Sequence, residues 1–170
     1  MTLVILPETV EDAPLVYEVE AAAFGRSLEA ELAQKLQQSE VETISLVALL
    51  DEELVGHVLF SPVTVKNEAG EFTAVALGPV AVSPDHQQKG IGSELCRAGL
   101  AACKQAGHAL VFVLGHANYY PRFGFRPSAP LGLRCQFDVP EDVFMVIELV
   151  PGALSNKRGT VYYHPLFSEV

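Results

Sequence analysis

The stretch VAVSPDHQQKGIGSEL, residues 80–95, carries three local signals in a row. Its apolar run ends at Ser83-Pro84 and reads as the end of a strand, because proline has no amide to continue a ladder. The polar residues that follow, with Gly90 and Gly92, read as a tight turn. Ile91, Leu95, Ala98 and Ala102 then recur at helical spacing, which predicts a helix over 91–106 with Gly107 as its C′ residue. A strand, a turn and a helix start in that order make the amides from Gln88 to Ser93 converge. Unpaired amides at the positive end of a helix bind phosphate, and Lys89 adds a full charge beside them. No Gly-Lys-Ser/Thr loop is present, and Gly90-Ile91-Gly92-Ser93-Glu94-Leu95 lacks the third glycine of the dinucleotide fingerprint. Taken alone, two glycines at a helix start favour a plain turn.

The flanking sequence sets the fold class. LVIL (3–6) reads as a strand that Pro7 ends. Thr9 with Asp12 resembles a capping box for a helix whose inner face is Leu15, Val19, Ala22 and Ala23. Ser27 is placed to cap a second helix with Leu28, Leu32 and Leu36 on one face. TISLVALL (43–50), LVGHVLFSPV (54–63) and FTAVALGPVAV (72–82) read as a three-strand meander. Its turns are Asp51-Glu52-Glu53 and Asn67-Glu68-Ala69-Gly70. Gly78-Pro79 interrupts the third of these strands and predicts an edge, a bulge or a splayed pair there. ALVFVL (109–114) is a buried strand. NYYPRFGF (118–125) is a short helix or turn cut by Pro121. CQFDV (135–139) and VFMVIELV (143–150) read as a closing pair of strands, and the tail from 159 as a strand followed by coil. No repeat or linker divides the chain, so residues 1–170 read as one α/β domain: a mixed sheet with helices on its faces.

Composition narrows the function. The chain has 170 residues, 49% hydrophobic and 19% charged, which is the make-up of a globular domain with a sizeable core. A net charge of −10 argues against broad binding to nucleic acid or to an anionic membrane and suits cationic partners such as amines. MTLVILPETVED has no basic region before its apolar patch, and no apolar run reaches the length of a membrane span. Cys96, Cys103 and Cys135 form no C-x-x-C pair and read as free thiols in a reducing cytoplasm. His57, His86, His108 and His164 neither cluster in sequence nor show ligand spacing, so no metal is expected.

Q-x-x-G-x-G at Gln87, Gly90 and Gly92, preceded by LGPVAVSPD, resembles motif A of the GCN5-related N-acetyltransferases (GNAT family). YYPRFGF, residues 119–125, resembles that family's motif B, in which a tyrosine lies four residues before Gly-Phe; Tyr120 holds that place before Gly124-Phe125. The strand order matches as well, over roughly residues 3–150, and LGPVAV with YYPRFGF is similar to the small YhbS-like branch. The resemblance implies a mostly antiparallel sheet with splayed fourth and fifth strands and helices on both faces. It implies acetyl-CoA as cosubstrate, with its pyrophosphate on the amides of Gln87, Gln88, Lys89, Gly90, Ile91, Gly92 and Ser93. Backbone groups of Val80 and Val82 would pair with the pantetheine arm, and an amide near Val80 or Ala81 would serve the oxyanion. Tyr120 would be the general acid for the CoA thiolate, with the adjacent Tyr119 as the competing assignment and Tyr120 favoured by its spacing from Gly124. Asn118 is a candidate cofactor contact. No glutamate lies between Phe72 and Val82 to act as base, which leaves His116 as the candidate side chain or as the residue that positions the turn before Tyr120. Acetyl transfer to a small-molecule or peptide amine is the leading expectation. A CoA-binding sensor that has lost turnover, a nucleotide-phosphate site and a covalent route through Cys96 or Cys103 are the alternatives. Late strands in such folds often pair two subunits, which leaves room for a homodimer.

Overall fold

The computed structural model describes residues 2–169. Nine strands form one sheet: β1 Leu3–Pro7, β2 Ile44–Leu50, β3 Glu53–Asn67, β4 Gly70–Val82, β5 Leu110–Leu114, β6 Arg126–Pro127, β7 Leu133–Cys135, β8 Phe144–Glu148 and β9 Gly159–Tyr162. Three helices pack on it: α1 Ala13–Phe24, α2 Leu28–Gln38 and α3 Ile91–Gln105. The strand order is β1-β2-β3-β4-β5-β8-β6, with β9 attached to β3 and β7 attached to β9. The meander β1 to β4 is antiparallel throughout, and only β4–β5 and β7–β9 pair in parallel. The mixed, mostly antiparallel sheet expected from the sequence is therefore present.

The hairpin between β2 and β3 turns at Asp51 and Glu52, both with positive φ (49° and 73°). That backbone matches the twist of the strands it joins. One face of the sheet takes α3: Ile91, Leu95, Cys96, Leu100 and Cys103 are buried against Val58, Phe60, Leu77 and Val113. The other face takes α1, whose Val16 and Val19 lie on Val47 and Ala81, and α2, whose Leu32, Ala33 and Leu36 lie on Leu59. Helices on both faces bury both sides of the central strands, so β3 reads as a nearly continuous apolar run.

Several local expectations need correction. The inner face of α1 is Val16, Val19 and Glu20, whereas Leu15 is 48% exposed and Ala22 is also exposed. The phase is off by one residue because the sequence hides a carboxylate, Glu20, among the buried positions. Ser27 makes no side-chain cap; its carbonyl takes the Glu31 amide instead, and Leu28 sits at the rim of α2. On α3 the buried stripe centres on Leu95, Cys96, Gly99 and Cys103, with Ala98 and Ala102 at its margin. The expected pairing of CQFDV with VFMVIELV does not form. β8 pairs with β5 and β6, while Leu133–Cys135 pairs with β9. The tail after β9 is not plain coil, because Pro165–Glu169 makes a 3-10 turn.

Candidate active site

The site is built where β4 parts from β5. Val75, Ala76 and Leu77 pair with Val111, Phe112 and Val113, and the ladder stops there. β4 then kinks at Gly78-Pro79, where its register against β3 shifts between the Val58–Val80 and Phe60–Leu77 pairs. The interruption is thus a bulge and a splay in a central strand, not an edge. Past the kink, Ser83 donates its amide to the Val55 carbonyl at 2.7 Å. Antiparallel pairs alternate, so Ala81 also turns its N–H and C=O toward β3. Val80 and Val82 turn theirs to the side that β5 has left. A short strand edge therefore stands open inside the sheet.

At the end of that edge lies the glycine turn. A short 3-10 turn, Pro84–His86, leads into it, and Gln87 Nε2 donates to the Val82 carbonyl at 2.9 Å, which ties the turn to β4. Gln88 and Gly90 have φ of 63° and 84°, on either side of Lys89. Such an alternation points successive amides to one side, and only glycine adopts it without strain at the second position. Among the described residues, the amides of Gln88, Lys89, Gly90, Gly92 and Ser93 donate to no carbonyl or side chain outside α3. The Ile91 side chain is buried in the core and anchors the helix start, while Gln87, Gln88, Lys89 and Gly90 are exposed. A Cβ on Gly92 would meet the Tyr119 hydroxyl at 3.6 Å and Val82 Cγ2 at 3.7 Å, ordinary contacts that leave the helix start uncrowded.

The two tyrosines follow β5. The His116 carbonyl accepts the amides of Tyr119 and Tyr120 at 3.1 and 3.4 Å, and Gly124, with φ 106°, ends the 3-10 turn Tyr120–Phe123. The Tyr120 ring packs close against Gly115, where a Cβ would come within 2.3 Å of it, and edge-on to Tyr119 and Phe125. Tyr120 is buried, and its hydroxyl makes no hydrogen bond among the described residues. Burial, then nearby Cys96 and Tyr119, raise its pKa above the ordinary phenol value. It stays protonated near neutrality and remains a donor. Tyr119 is committed elsewhere: its hydroxyl meets Ser93 Oγ at 2.9 Å, and the Arg122 guanidinium lies 4.2 Å from its ring centre. The side chains of His116 and Asn118 are exposed. Cys96 and Cys103 are sealed under α3, and burial pushes both thiols up to about 12, so neither is a thiolate near neutrality. Among the described residues no group of His, Cys, Asp and Glu is placed to hold a metal.

Sequence reasoning missed a polar cluster under α1. His57, fully buried in β3, meets Glu20 Oε2 through Nδ1 at 2.6 Å and Ser45 Oγ through Nε2 at 2.8 Å. Ser45 Oγ donates to Glu8 Oε1 at 2.5 Å. Burial alone would lower the His57 pKa, but its bonds to Glu20 and Glu8 outweigh that and push it up to about 8. Glu20 is raised by burial. Glu8 is also pushed up by burial, but the bonds from His57 and Ser45 prevail and hold it below the usual carboxylate range. The available signal was a histidine inside the apolar run LVGHVLF, a position that requires a polar partner.

An open strand edge that ends in a glycine turn at the start of a helix is the architecture of an acyl-CoA acetyltransferase, and the chain belongs to the GNAT acetyltransferase family. The family model described as the acetyltransferase (GNAT) domain matches residues 7–128. Among curated proteins the chain is 41% identical over 134 residues to YjhQ of Escherichia coli, an uncharacterized N-acetyltransferase, covering 77% of this chain and 74% of that one. It is 35% identical over 159 residues to the Escherichia coli N-acetyltransferase YhbS, also uncharacterized, covering 93% and 94%. Among solved structures, YhbS in complex with CoA superposes with a TM-score of 0.91 at 34% identity, over 98% of this chain and 92% of that one. A GNAT acetyltransferase of Brucella melitensis in complex with acetyl-CoA gives 0.80 at 33% identity, over 98% of each.

Proposed function

We propose that this protein moves the acetyl group of acetyl-CoA to a primary amine by direct attack of the amine on the thioester. The observation that carries the reading is the open edge of β4 at Val80 and Val82, which ends in the amide turn, with Tyr120 on the turn that follows the neighbouring strand β5. The pyrophosphate binds the amides of residues 87–93, with Lys89 beside them. The pantetheine arm pairs with Val80 and Val82 as an added strand. The Val80 amide faces the gap and takes the oxyanion; the Ala81 amide is spent on β3. Tyr120 gives its proton to the departing thiolate. Tyr119, held by Ser93, shapes the turn instead.

An alkylammonium with pKa near 10 must lose a proton first, at a cost of about 4 kcal/mol at neutral pH. His116, exposed at the end of β5, takes that proton or passes it to solvent. The acceptor is a small-molecule or peptide amine. Free cysteines at positions 96, 103 and 135 suit a reducing compartment, and we place the reaction in the cytoplasm. No described helix is long and apolar enough to cross a membrane. A homodimer through the late strands belongs to the same proposal. One observation favours a CoA-binding sensor without turnover: β4 offers no carboxylate between Phe72 and Val82.

The test is thiol release from acetyl-CoA across a panel of primary amines, with Tyr120→Phe alongside. Amine-dependent release that the variant loses supports transfer. CoA binding without release for any amine supports the sensor.

A further inference from the structure

We propose that the cleft between α1 and α2 is a second ligand site, one that takes a small organic cation through a primary ammonium group. The cleft has a volume of about 310 Å³, the size of a small-molecule site. It lies on the face of the sheet that carries α1 and α2, whereas α3, Tyr119 and Tyr120 pack on the opposite face. None of its lining residues belongs to β4, the glycine turn or the segment of Tyr119 and Tyr120, and the proposal stands without the reaction proposed above.

The ligand chemistry follows from Glu8. Its side chain is only 6% exposed, yet it lines the cleft. Oε1 is saturated: Ser45 Oγ, Gln37 Nε2 and His57 Nε2 lie at 2.5, 3.0 and 3.4 Å. Oε2 accepts no hydrogen bond among the described residues. Oε2 is not sealed from solvent, which leaves it free to take a donor from whatever occupies the cleft. No Lys, Arg or His lines the cleft to supply one. His57 is shared between Glu8 and Glu20, and Glu8 is the one charged side chain in the lining of the cleft. An ammonium group brings the missing donors and the missing charge together. The rest of the lining joins uncharged polar groups, Tyr17 and Gln34 among them, to apolar surface from Ala13, Val16 and Ala33. That surface suits a short methylene chain.

The experiment is an NMR titration of the full chain with n-butylammonium and with 1,4-diaminobutane, with and without saturating CoA. The expected result is saturable shifts of the Gln34 and Gln37 side-chain amides, unchanged by CoA. Glu8→Gln is expected to weaken binding at least tenfold. Because that change removes a buried partner of Ser45 and His57, Gln34→Lys is the second variant: Gln34 is exposed, so the fold tolerates a lysine there, and its ammonium repels the ligand at the cleft. A tenfold or greater loss in Gln34→Lys, with the wild-type melting temperature, supports the site. No saturable shift in the wild type, shifts that CoA abolishes, or binding that Gln34→Lys leaves intact each overturns it.

Discussion

Tyr119 and Tyr120 are neighbours in sequence and differ entirely in what their hydroxyls do. Tyr119 spends its hydroxyl on Ser93, in the first turn of α3, while the Tyr120 hydroxyl is uncommitted within a buried ring stack. Removing a general acid costs about 10²–10⁴ in rate, whereas removing one neutral hydrogen bond costs about 1 kcal/mol. Tyr120→Phe is therefore expected to lower kcat at least a hundredfold with little change in the KM for acetyl-CoA. Tyr119→Phe is expected to change either constant by less than tenfold, chiefly KM. Steady-state thiol release separates the two, and a larger kcat loss in Tyr119→Phe would reverse the assignment. The count of four residues from tyrosine to Gly124 was legible in the chain. What seats the ring was not: it packs so close to Gly115 that only a residue without a Cβ fits there.

At the scale of elements, α3 carries two glycines with opposite jobs. Gly92 stands in the first turn, where an added Cβ meets nothing closer than 3.6 Å. A Cβ there makes only ordinary contacts, and the atoms beyond it occupy the concavity. Gly92→Val is expected to raise the KM for acetyl-CoA tenfold or more and to leave the melting temperature nearly unchanged. Gly99 stands two turns later, where a Cβ would lie 2.2 Å from the Phe60 ring. Gly99→Ala is expected to destabilise the fold by about 1–3 kcal/mol, the usual cost of overpacking, as measured by urea unfolding. A result in which Gly92→Val unfolds the chain while Gly99→Ala does not would contradict this division. The helix itself was plain from its spacing, since an apolar stripe must face a core. Its exact phase was not, because Ala and Cys positions at the margin of a stripe do not say which of them meets the aromatic ring beneath.

For the molecule as a whole, the His57 cluster is the polar joint of the α1 face. It gathers Glu8 from the end of β1, Glu20 from α1, Ser45 from β2 and His57 from β3. A histidine whose pKa rises from 6.5 to about 8 on folding contributes about 2 kcal/mol. The sign follows from linkage: that contribution is whole below pH 6.5 and is lost as pH rises through about 8. Glu8, held low, acts in the opposite sense, so its share is lost only in acid. Stability to urea is therefore expected to peak in mildly acidic solution and to fall between pH 7 and 9. His57→Gln is expected to be less stable at pH 6.5 and to show a flatter profile above it; an unchanged slope in that variant would remove His57 as the cause.

By itself the sequence determined what depends on neighbours along the chain: the strand, turn and helix of residues 80–95, the kink at Gly78-Pro79 and the spacing of Tyr120 from Gly124. Each rests on backbone preferences and residue periods that act over a few positions. Only the tertiary structure decided which late strands pair and that Glu20 meets His57, 37 residues away. Those outcomes depend on strand register and on the rotation of α1 about its axis. A shift of one residue in either would turn the same side chains to the other face.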